Sequence, residues 1–255
     1  MRVLHVIARL NVGGTARYIT QLASQLPQHG IETFVATGFV QGAEVEDPST
    51  QSIDVIRVPS MGRSINPIKD HLARKQLEKI IAEVKPDIIH THTFKAGYVI
   101  RMKKQAVPVV HTFHGHLLHG YFSSALTKLV ILIEKFFAAR TSVLIAIGSK
   151  VKEDLLAAGI GRAHKYRVFF PGLPAPKTGS KAAAQSALGI SSEVLYCTFV
   201  GRLTQIKRPD RLLDVAAECK RRGIDLRFLV AGEGELFESS KQRALQEQLN
   251  VTFFG

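Results

Sequence analysis

A glycine pair near the N-terminus could bind a phosphate. Gly13 and Gly14 stand between a short apolar run and a helix-like stretch. Glycine lets backbone N–H groups approach a phosphate at the positive end of a helix, although a tight turn that needs glycine only for its geometry is an equally good interpretation. The pattern is not G-x-G-x-x-G, and residues 35–37 offer no acidic side chain to a ribose hydroxyl. A nicotinamide or flavin dehydrogenase is therefore disfavoured.

Histidines are concentrated in one part of the chain. Neutral imidazoles can bond sugar hydroxyls or meet a developing charge, and we expect these to converge on one wall of a cleft, at the ends of two adjacent predicted strands. A zinc site is disfavoured because no cysteine is near and Asp87 is the only carboxylate among them. For each of these rings a structural role is the default interpretation. The exception is His114, because the glycine that follows it, Gly115, leaves space beside the ring. Six of the ten histidines fall within thirty residues: His90, His92, His111, His114, His116 and His119.

Two cations flank a turn in the last third of the chain. Gly201 ends an apolar run, and Arg202 and Lys207 follow it before Pro209. Two cations at this spacing can point at one diphosphate, with a helix N-terminus behind them, and can stabilise a leaving nucleoside diphosphate without a metal. A solvated basic loop is the competing interpretation. Residues 232–234 (GEG) close the next apolar run and either admit a ligand closely or form a plain turn.

The elements that must position these residues alternate along the chain. Short apolar runs and helix-length amphipathic stretches follow one another, which is typical of parallel βα units. We predict one Rossmann-like domain over residues 1–172, with Ser149 as the N-cap of its last helix and Gly159 as that helix's stop. Its strands are predicted at 2–8, 32–37, 53–58, 87–90, 107–111, 143–147 and 166–170, and its helices at 14–28, 67–84, 94–104, 123–140 and 149–158.

A stretch rich in proline and glycine predicts a hinge or linker over residues 173–191. The alternation then restarts in a second domain, 192–255, with three strands and two helices, about half of a doubly wound domain. The predicted fold class is α/β, with one complete Rossmann-like parallel-sheet domain and an incomplete second one. The second set of elements is predicted at 194–200, 207–222, 226–231, 235–248 and 251–254.

Composition limits the class of protein. The 255 residues are 45% hydrophobic, which is enough to bury a core and excludes a disordered chain, and the net charge of +13 predicts an anionic partner. Two cysteines, Cys197 and Cys219, give no disulfide or zinc pattern and indicate a reducing compartment.

His5 and Arg9 interrupt any signal-like apolar segment, and no run reaches the ~20 apolar residues of a membrane span. We expect a cytoplasmic protein, or one that is peripheral at a membrane.

These motifs, in this order, resemble glycosyltransferase family 4: the Gly13-Gly14 turn, the strand end at 108–115 (PVVHTFHG), the turn at 201–207 and the loop at 232–234. Residues 114–122 resemble the bacterial members that build capsule, exopolysaccharide or O-antigen on a lipid carrier. The resemblance implies the GT-B fold, two facing Rossmann-like domains with the donor in the cleft. It also implies retaining transfer, without metal or cofactor, from a nucleotide-sugar, with UDP favoured, to a lipid-linked or saccharide acceptor.

The resemblance also implies roles for individual residues. Arg202 and Lys207 would hold the diphosphate, and Gly14 would bring its N–H to the phosphate. His114 would sit beside the reacting carbon as the catalytic candidate, and His92 would lie on the acceptor side. The donor-binding set implied in this way is Gly13, Gly14, Gly201, Arg202, Lys207, Gly232 and Glu233.

The chain also departs from the family pattern. Members carry a glutamate pair, E-x7-E, after further strands of the second domain, and residues 168–172 (VFFPG) replace the usual Pro-Asn-Gly turn. We therefore expect a member truncated in its C-terminal domain, and little transferase activity from the 255 residues alone.

Positive charge is concentrated at residues 61–128, with eleven Lys or Arg against four Asp or Glu, close in sequence to apolar residues at 117–118, 121–122 and 129–133. This predicts peripheral binding to an anionic inner leaflet and access to a lipid-linked acceptor, while a soluble domain with a basic face is an equally good interpretation. A UDP-sugar epimerase on the same fold and a non-catalytic nucleotide-sugar-binding remnant are the competing functions. Nucleic-acid binding is disfavoured, because the basic residues alternate with apolar ones along ordinary helices.

Overall fold

The chain divides into two units, Met1–Pro174 and Ala175–Gly255. The structure, a computed structural model, describes residues 1–42, 44–62, 64–115, 124–172 and 179–254. No helix in these ranges is both long enough and apolar enough to cross a membrane.

The first unit is built on a sheet of seven parallel strands in the order β3-β2-β1-β4-β5-β6-β7. The reversal beside β1 places β1, β4 and β5 next to one another, so their carboxyl ends form one edge, where open parallel sheets bind ligands. The strands are β1 Arg2–Ile7, β2 Glu32–Thr37, β3 Val55–Arg57, β4 Ile88–His92, β5 Val109–Phe113, β6 Val143–Ala146 and β7 Tyr166–Val168.

Helices cover both faces of this sheet. Leu4 and Val6 pack with the helices Pro67–Val84 and Thr93–Arg101 on one face, while Ile7 packs with the helix Gly14–Gln25 on the other. Successive residues of a strand point to opposite faces, so the alternation in β1 fixes which side chains meet which helix. The helices of this unit are α1 Gly14–Gln25, α2 Pro67–Val84, α3 Thr93–Arg101, α4 Ser124–Ala139 and α5 Ser149–Ala157, with short 3-10 turns at Leu26–His29, Pro48–Ser52 and Ala163–Lys165.

Among the differences from the predicted elements, one concerns a helix cap and another concerns the strands that carry the histidines. The N-cap of α5 is Gly148, with no side-chain capping bond, so Ser149 is the first helical residue instead of the cap; the stop at Gly159 is confirmed, since its φ is 76°. The strands β4 and β5 extend two residues further than predicted, which places His92 and Phe113 inside the sheet.

The second unit holds a parallel sheet in the order β10-β9-β8. Together with the first sheet it confirms the predicted α/β class. Helix α6, Lys181–Leu188, lies inside the segment predicted to be a linker: Ser180 Oγ accepts from the Ala183 N–H at 3.1 Å, and Gly189 ends the helix at φ 63°. The other elements are β8 Leu195–Val200, α7 Pro209–Arg221, β9 Leu226–Ala231, α8 Phe237–Gln246 and β10 Val251–Phe254.

Candidate functional site

A chain of three imidazoles runs through the carboxyl edge of the first sheet. His5 Nδ1 lies 3.1 Å from His92 Nε2, and His92 Nδ1 lies 3.0 Å from His114 Nε2. His5 and His92 are fully buried, while His114, directly after β5, is only partly buried and forms the outer end. The chain therefore links the candidate catalytic residue to the middle of β1.

Neighbouring side chains hold these rings in place. His90 stands beside His5 in the β1–β4 register, and its Nε2 lies 2.7 Å from Thr112 Oγ1. The ring of Tyr18, on α1, meets the His114 ring edge-on with centroids 5.3 Å apart. His114 is thus packed from β4 on one side and from α1 on the other.

Burial keeps these imidazoles neutral. It lowers the pKa of His5 and that of His114 to about 4, and with the help of neighbouring rings it lowers the pKa of His90 and His92 well below the ordinary value. At neutral pH each ring therefore carries one N–H donor and one acceptor nitrogen. Such rings can form directed hydrogen bonds to hydroxyl groups but supply no positive charge.

His5, His90 and His92 bring ligand nitrogens within 4.8 Å of one another, close enough to consider a metal ion. His5 and His92 are hydrogen-bonded to each other, however, so one of the two facing nitrogens carries the proton and only the other has a lone pair. A metal at this place would have to break that bond. The geometry of the described rings is that of a hydrogen-bonded chain.

The predicted convergence of the histidines is correct for His90, His92 and His114 but wrong for His111. His111 lies on the same side of β5 as Val109, on the face of the sheet opposite to His90 and His92. Its Nδ1 lies there 2.8 Å from Thr91 Oγ1, and Arg101 of α3 packs beside it. Strand alternation is the reason, since His90 and His111 are on different pleats of adjacent strands. His116 and His119 lie outside the described residues.

The two glycines before α1 differ in what they offer. The Gly13 N–H donates to the Asp47 carboxylate at 3.3 Å, and the N–H and hydroxyl of Ser49 donate to the same carboxylate at 3.0 and 2.7 Å. Burial raises the pKa of Asp47, but these hydrogen bonds and nearby Arg17 outweigh it and hold the pKa below its usual value. The Gly14 N–H has no partner among the described residues, and a β-carbon on Gly14 would meet nothing within 4 Å. Gly14 is therefore the glycine that remains open to a ligand.

In the second unit, two loops pack backbone against backbone beyond β8 and β9. The Leu203 N–H donates to the Glu233 carbonyl at 2.9 Å, and a β-carbon on Gly232 would lie 2.4 Å from the Gly201 carbonyl oxygen. A β-carbon on Gly234 would lie equally close to the Leu203 oxygen. Gly232 and Gly234 are thus required for the contact between the two loops. This contact brings together four residues of the predicted donor-binding set: Gly201, Arg202, Gly232 and Glu233.

The side chains of Arg202 and Lys207 are exposed and make no hydrogen bond or ion pair with the described residues. Arg208, one residue further, is paired with Asp210 at 2.5 Å. Arg202 follows the carboxyl end of β8, and Lys207 ends the 3-10 turn Gln205–Lys207 just before α7. Two unpaired cations therefore lie on the short segment between this strand and this helix.

His92 is not placed as the sequence led us to expect. It is fully buried, and both of its nitrogens face other imidazoles, so it presents no free nitrogen to an acceptor. Three residues near the candidate site were missed: His5, Tyr18 and Asp47. The two-residue spacing of strand alternation could have grouped His5 with Ile7 on the α1 side, whereas no sequence signal brings Asp47 to Gly13 across a long loop.

Known proteins resemble the whole chain. The family model described as Glycosyltransferase Family 4 matches residues 12–175, and the one described as Glycosyl transferases group 1 matches residues 180–255. A UDP-Gal:alpha-D-GlcNAc-diphosphoundecaprenol alpha-1,3-galactosyltransferase of Escherichia coli is 28% identical over 94% of this chain, and the putative glycosyltransferase EpsF of Bacillus subtilis is 25% identical over 100% of it.

Among solved structures, Anabaena Alr3699/HepE in complex with UDP and glucose matches with a TM-score of 0.75 at 16% identity, over 100% of this chain and 69% of that one, which shows the common GT-B fold. The chain spans 64% of the length of the E. coli relative and 68% of the length of EpsF. The first family model covers more than half of the chain, and its match includes His92 and His114 of the histidine chain, while His5 lies before the matched residues. The chain belongs to glycosyltransferase family 4.

Proposed function

We propose that the protein transfers a sugar from a nucleotide-sugar, with UDP as the favoured nucleotide, to a lipid-linked or saccharide acceptor. The observation that carries this proposal is the pair of exposed cations, Arg202 and Lys207, on the segment after β8, where neither has a partner among the described residues. Glycine contacts hold the start of this segment at the carboxyl end of the second sheet. The name of the E. coli relative states a UDP-galactose donor, and the Anabaena structure holds UDP.

The cations would bind the diphosphate and balance the charge that grows on it as the glycosidic bond breaks. Charge-assisted bonds from Arg and Lys to phosphate are roughly twice as strong as neutral ones. Two cations on a segment whose backbone is held in place can supply the electrostatic stabilisation that a divalent ion gives elsewhere. This supports a metal-independent reaction, and family membership supports retention of configuration at the transferred carbon.

The loops of the first unit would supply Gly14 and His114. The Gly14 N–H lies at the start of α1, where the helix dipole favours an anion, and it has no partner in the part of the chain that the structure describes. His114 is neutral, so it would bond a sugar oxygen beside the reacting carbon and leave the charge balance to Arg202 and Lys207.

For the acceptor, we propose a lipid-linked saccharide reached at an anionic membrane surface on the inner leaflet. Helix α4 exposes one apolar face, which we call the α4 stripe: Leu126, Leu129, Leu132 and Phe136, exposed by 40, 52, 63 and 53%. Lys128, Lys135 and Arg140 are also exposed around it, and the Arg140 guanidinium lies 4.1 Å from the centre of the Phe136 ring. An apolar stripe with flanking cations suits an anionic bilayer. The apolar residues 117–118 and 121–122, predicted to share this role, lie outside the described residues.

The donor proposal is tested by titrating the 15N-labelled chain with UDP and following the amide signals of residues 201–203 and 232–234. We expect saturable shifts at these amides, and their loss when Arg202→Ala and Lys207→Ala are combined. Arg227→Ala is the control for each single variant, Arg202→Ala or Lys207→Ala, because it also removes one positive charge but from β9 near its amino end, at the opposite edge of the same sheet. Absence of saturable shifts up to about 10 mM UDP, or equal loss in the control, would overturn the proposal.

A further inference from the structure

We propose that His5 and His92 are positioning residues that fix the tautomer of His114, so that His114 presents an N–H, and not a lone pair, to the donor sugar. The role at the sugar rests on the proposed function; the tautomer itself does not. The basis is the unbroken series of contacts from His5 Nδ1 to His92 Nε2, at 3.1 Å, and from His92 Nδ1 to His114 Nε2, at 3.0 Å.

Neutral imidazoles that are hydrogen-bonded in series, Nδ1 of one ring to Nε2 of the next, must all carry their proton on the same nitrogen. A neutral ring has one N–H and one lone pair, so a ring that accepts at one nitrogen must donate at the other. If His5 donates from Nδ1, His92 accepts at Nε2 and donates from Nδ1, and His114 accepts at Nε2 and carries its own proton on Nδ1. If the first bond is reversed, every ring reverses. The state of the buried end therefore sets the state of the outer end.

The buried end favours one of these two directions. His5 Nε2 is buried and has no hydrogen-bond partner among the described residues. Orphaned buried N–H groups are rarer than orphaned acceptors in folded proteins, so the lone pair is the better occupant of this position. His5 then carries its proton on Nδ1, where His92 accepts it. Each ring therefore donates to the next one outward, from His5 to His92 and from His92 to His114, and His114 exposes an Nδ1–H.

An outward Nδ1–H gives His114 a definite chemical role. It can donate a hydrogen bond to a sugar oxygen beside the reacting carbon, but it has no free lone pair to remove a proton from the acceptor hydroxyl. His114 would thus orient the donor and polarise it, and deprotonation of the acceptor would fall to another group. His92 and His5 would act only through His114, because both are fully buried beneath it.

Nitrogen NMR of the imidazole rings tests this without any substrate, because protonated and unprotonated ring nitrogens have distinct 15N shifts. At neutral pH we expect His5, His92 and His114 all to be protonated on Nδ1. His5→Phe removes the first donor and should turn the His114 signal into a mixture of tautomers. His5→Asn, whose amide can donate from a similar position, should restore the wild-type pattern.

Three results would overturn the proposal. One is an Nε2-protonated His114 in the wild-type chain; another is a set of rings that do not share one tautomer. The third is one bound zinc ion per purified chain, by metal analysis, with His5, His90 and His92 as ligands. The UDP titration is independent of all three, so failure of the donor proposal and failure of this one are distinguishable.

Discussion

Gly232 stands directly against Gly201 across the two strand-end loops of the second unit, so that a β-carbon on Gly232 would lie 2.4 Å from the Gly201 carbonyl oxygen. Its φ of 130° is also one that residues with side chains rarely adopt. The contact holds the loop of Arg202 against the loop of Glu233, since the Leu203 N–H bonds the Glu233 carbonyl beside it. The position of Arg202, which is a candidate for binding the diphosphate, thus depends on the absence of a β-carbon at Gly232.

We predict that Gly232→Ala destabilises the second unit by about 3 kcal/mol, from the backbone strain together with the overpacking, and abolishes the UDP-induced shifts. Gly201→Ala is the matched control, because the nearest atoms to its β-carbon, in the Phe199 ring, are at 3.7 Å. Urea denaturation followed by amide signals of the second unit measures the effect. Equal stability of the two variants would contradict the explanation.

The buried imidazoles predict a stability that falls in mild acid. Burial lowers the pKa of His5 from 6.5 to about 4 in the folded chain. Below pH 6.5 the unfolded chain therefore takes up a proton that the folded chain does not, and the folded state loses stability until about pH 4, where the loss from this group is complete at about 3 kcal/mol. The buried His90, His92 and His111 change in the same direction.

His5→Asn should therefore reduce the slope of the unfolding free energy against pH, between pH 6.5 and 4, by about 1.4 kcal/mol per pH unit. This is the slope that corresponds to the uptake of one proton on unfolding. Urea midpoints measured across this range give the slope directly. Gln28→Asn, at an exposed position without a titratable group, is the control and should leave the slope as in the wild type. A slope that His5→Asn does not change would show that His5 is protonated alike in both states.

A buried ion pair joins α3 to α4, with Arg101 Nη2 2.7 Å from Glu134 Oε1 and both side chains fully buried. We predict that Arg101→Met costs about 3–5 kcal/mol of unfolding free energy, because it leaves the Glu134 carboxylate without its partner. The double variant Arg101→Met with Glu134→Leu should recover most of that loss. In the wild type, Arg101 Nη1 and Glu134 Oε2 already have no hydrogen-bond partner among the described residues. The attraction within the pair is therefore largely offset by the cost of removing both charges from water, and the net stabilisation by the pair is small.

Chemical denaturation of the two single variants and the double variant forms a double-mutant cycle. A double variant that is no more stable than Arg101→Met would show that the apolar pair cannot replace the ionic one, and the prediction would be wrong.

Sequence periodicity predicted most of this fold, because apolar runs and amphipathic stretches report directly on burial. The strands β2, β9 and β10 and helix α2 begin and end at the predicted residues. Helix α6 was missed, since its alanines carry little apolar periodicity and the proline-rich stretch before it suggested a linker. At the candidate site the glycines and cations could be predicted from local spacing. The direction of His111 and the contact of Asp47 with Gly13 could not, because the first depends on the register between β4 and β5 and the second on a long loop.

The α4 stripe gives the last prediction, on membrane binding. We expect the chain to float with vesicles that contain anionic lipid and not with neutral ones. Leu129→Gln combined with Leu132→Gln should weaken binding by about 2 kcal/mol or more, since each buried leucine contributes about 1.5–3 kcal/mol. Lys128→Gln combined with Lys135→Gln should remove about 1 kcal/mol per charge, and only for anionic vesicles, because the contribution of a lysine depends on the negative surface potential.

Leu245→Gln is the control for the apolar substitutions. Leu245 is 80% exposed and lies on α8, so it is not part of the α4 stripe. If this variant weakens flotation as much as the change at Leu129 and Leu132, membrane contact depends on exposed leucine in general and not on the α4 stripe. Binding that is the same for neutral and anionic vesicles would contradict the electrostatic part, since the +13 charge of the chain is then not used at the surface.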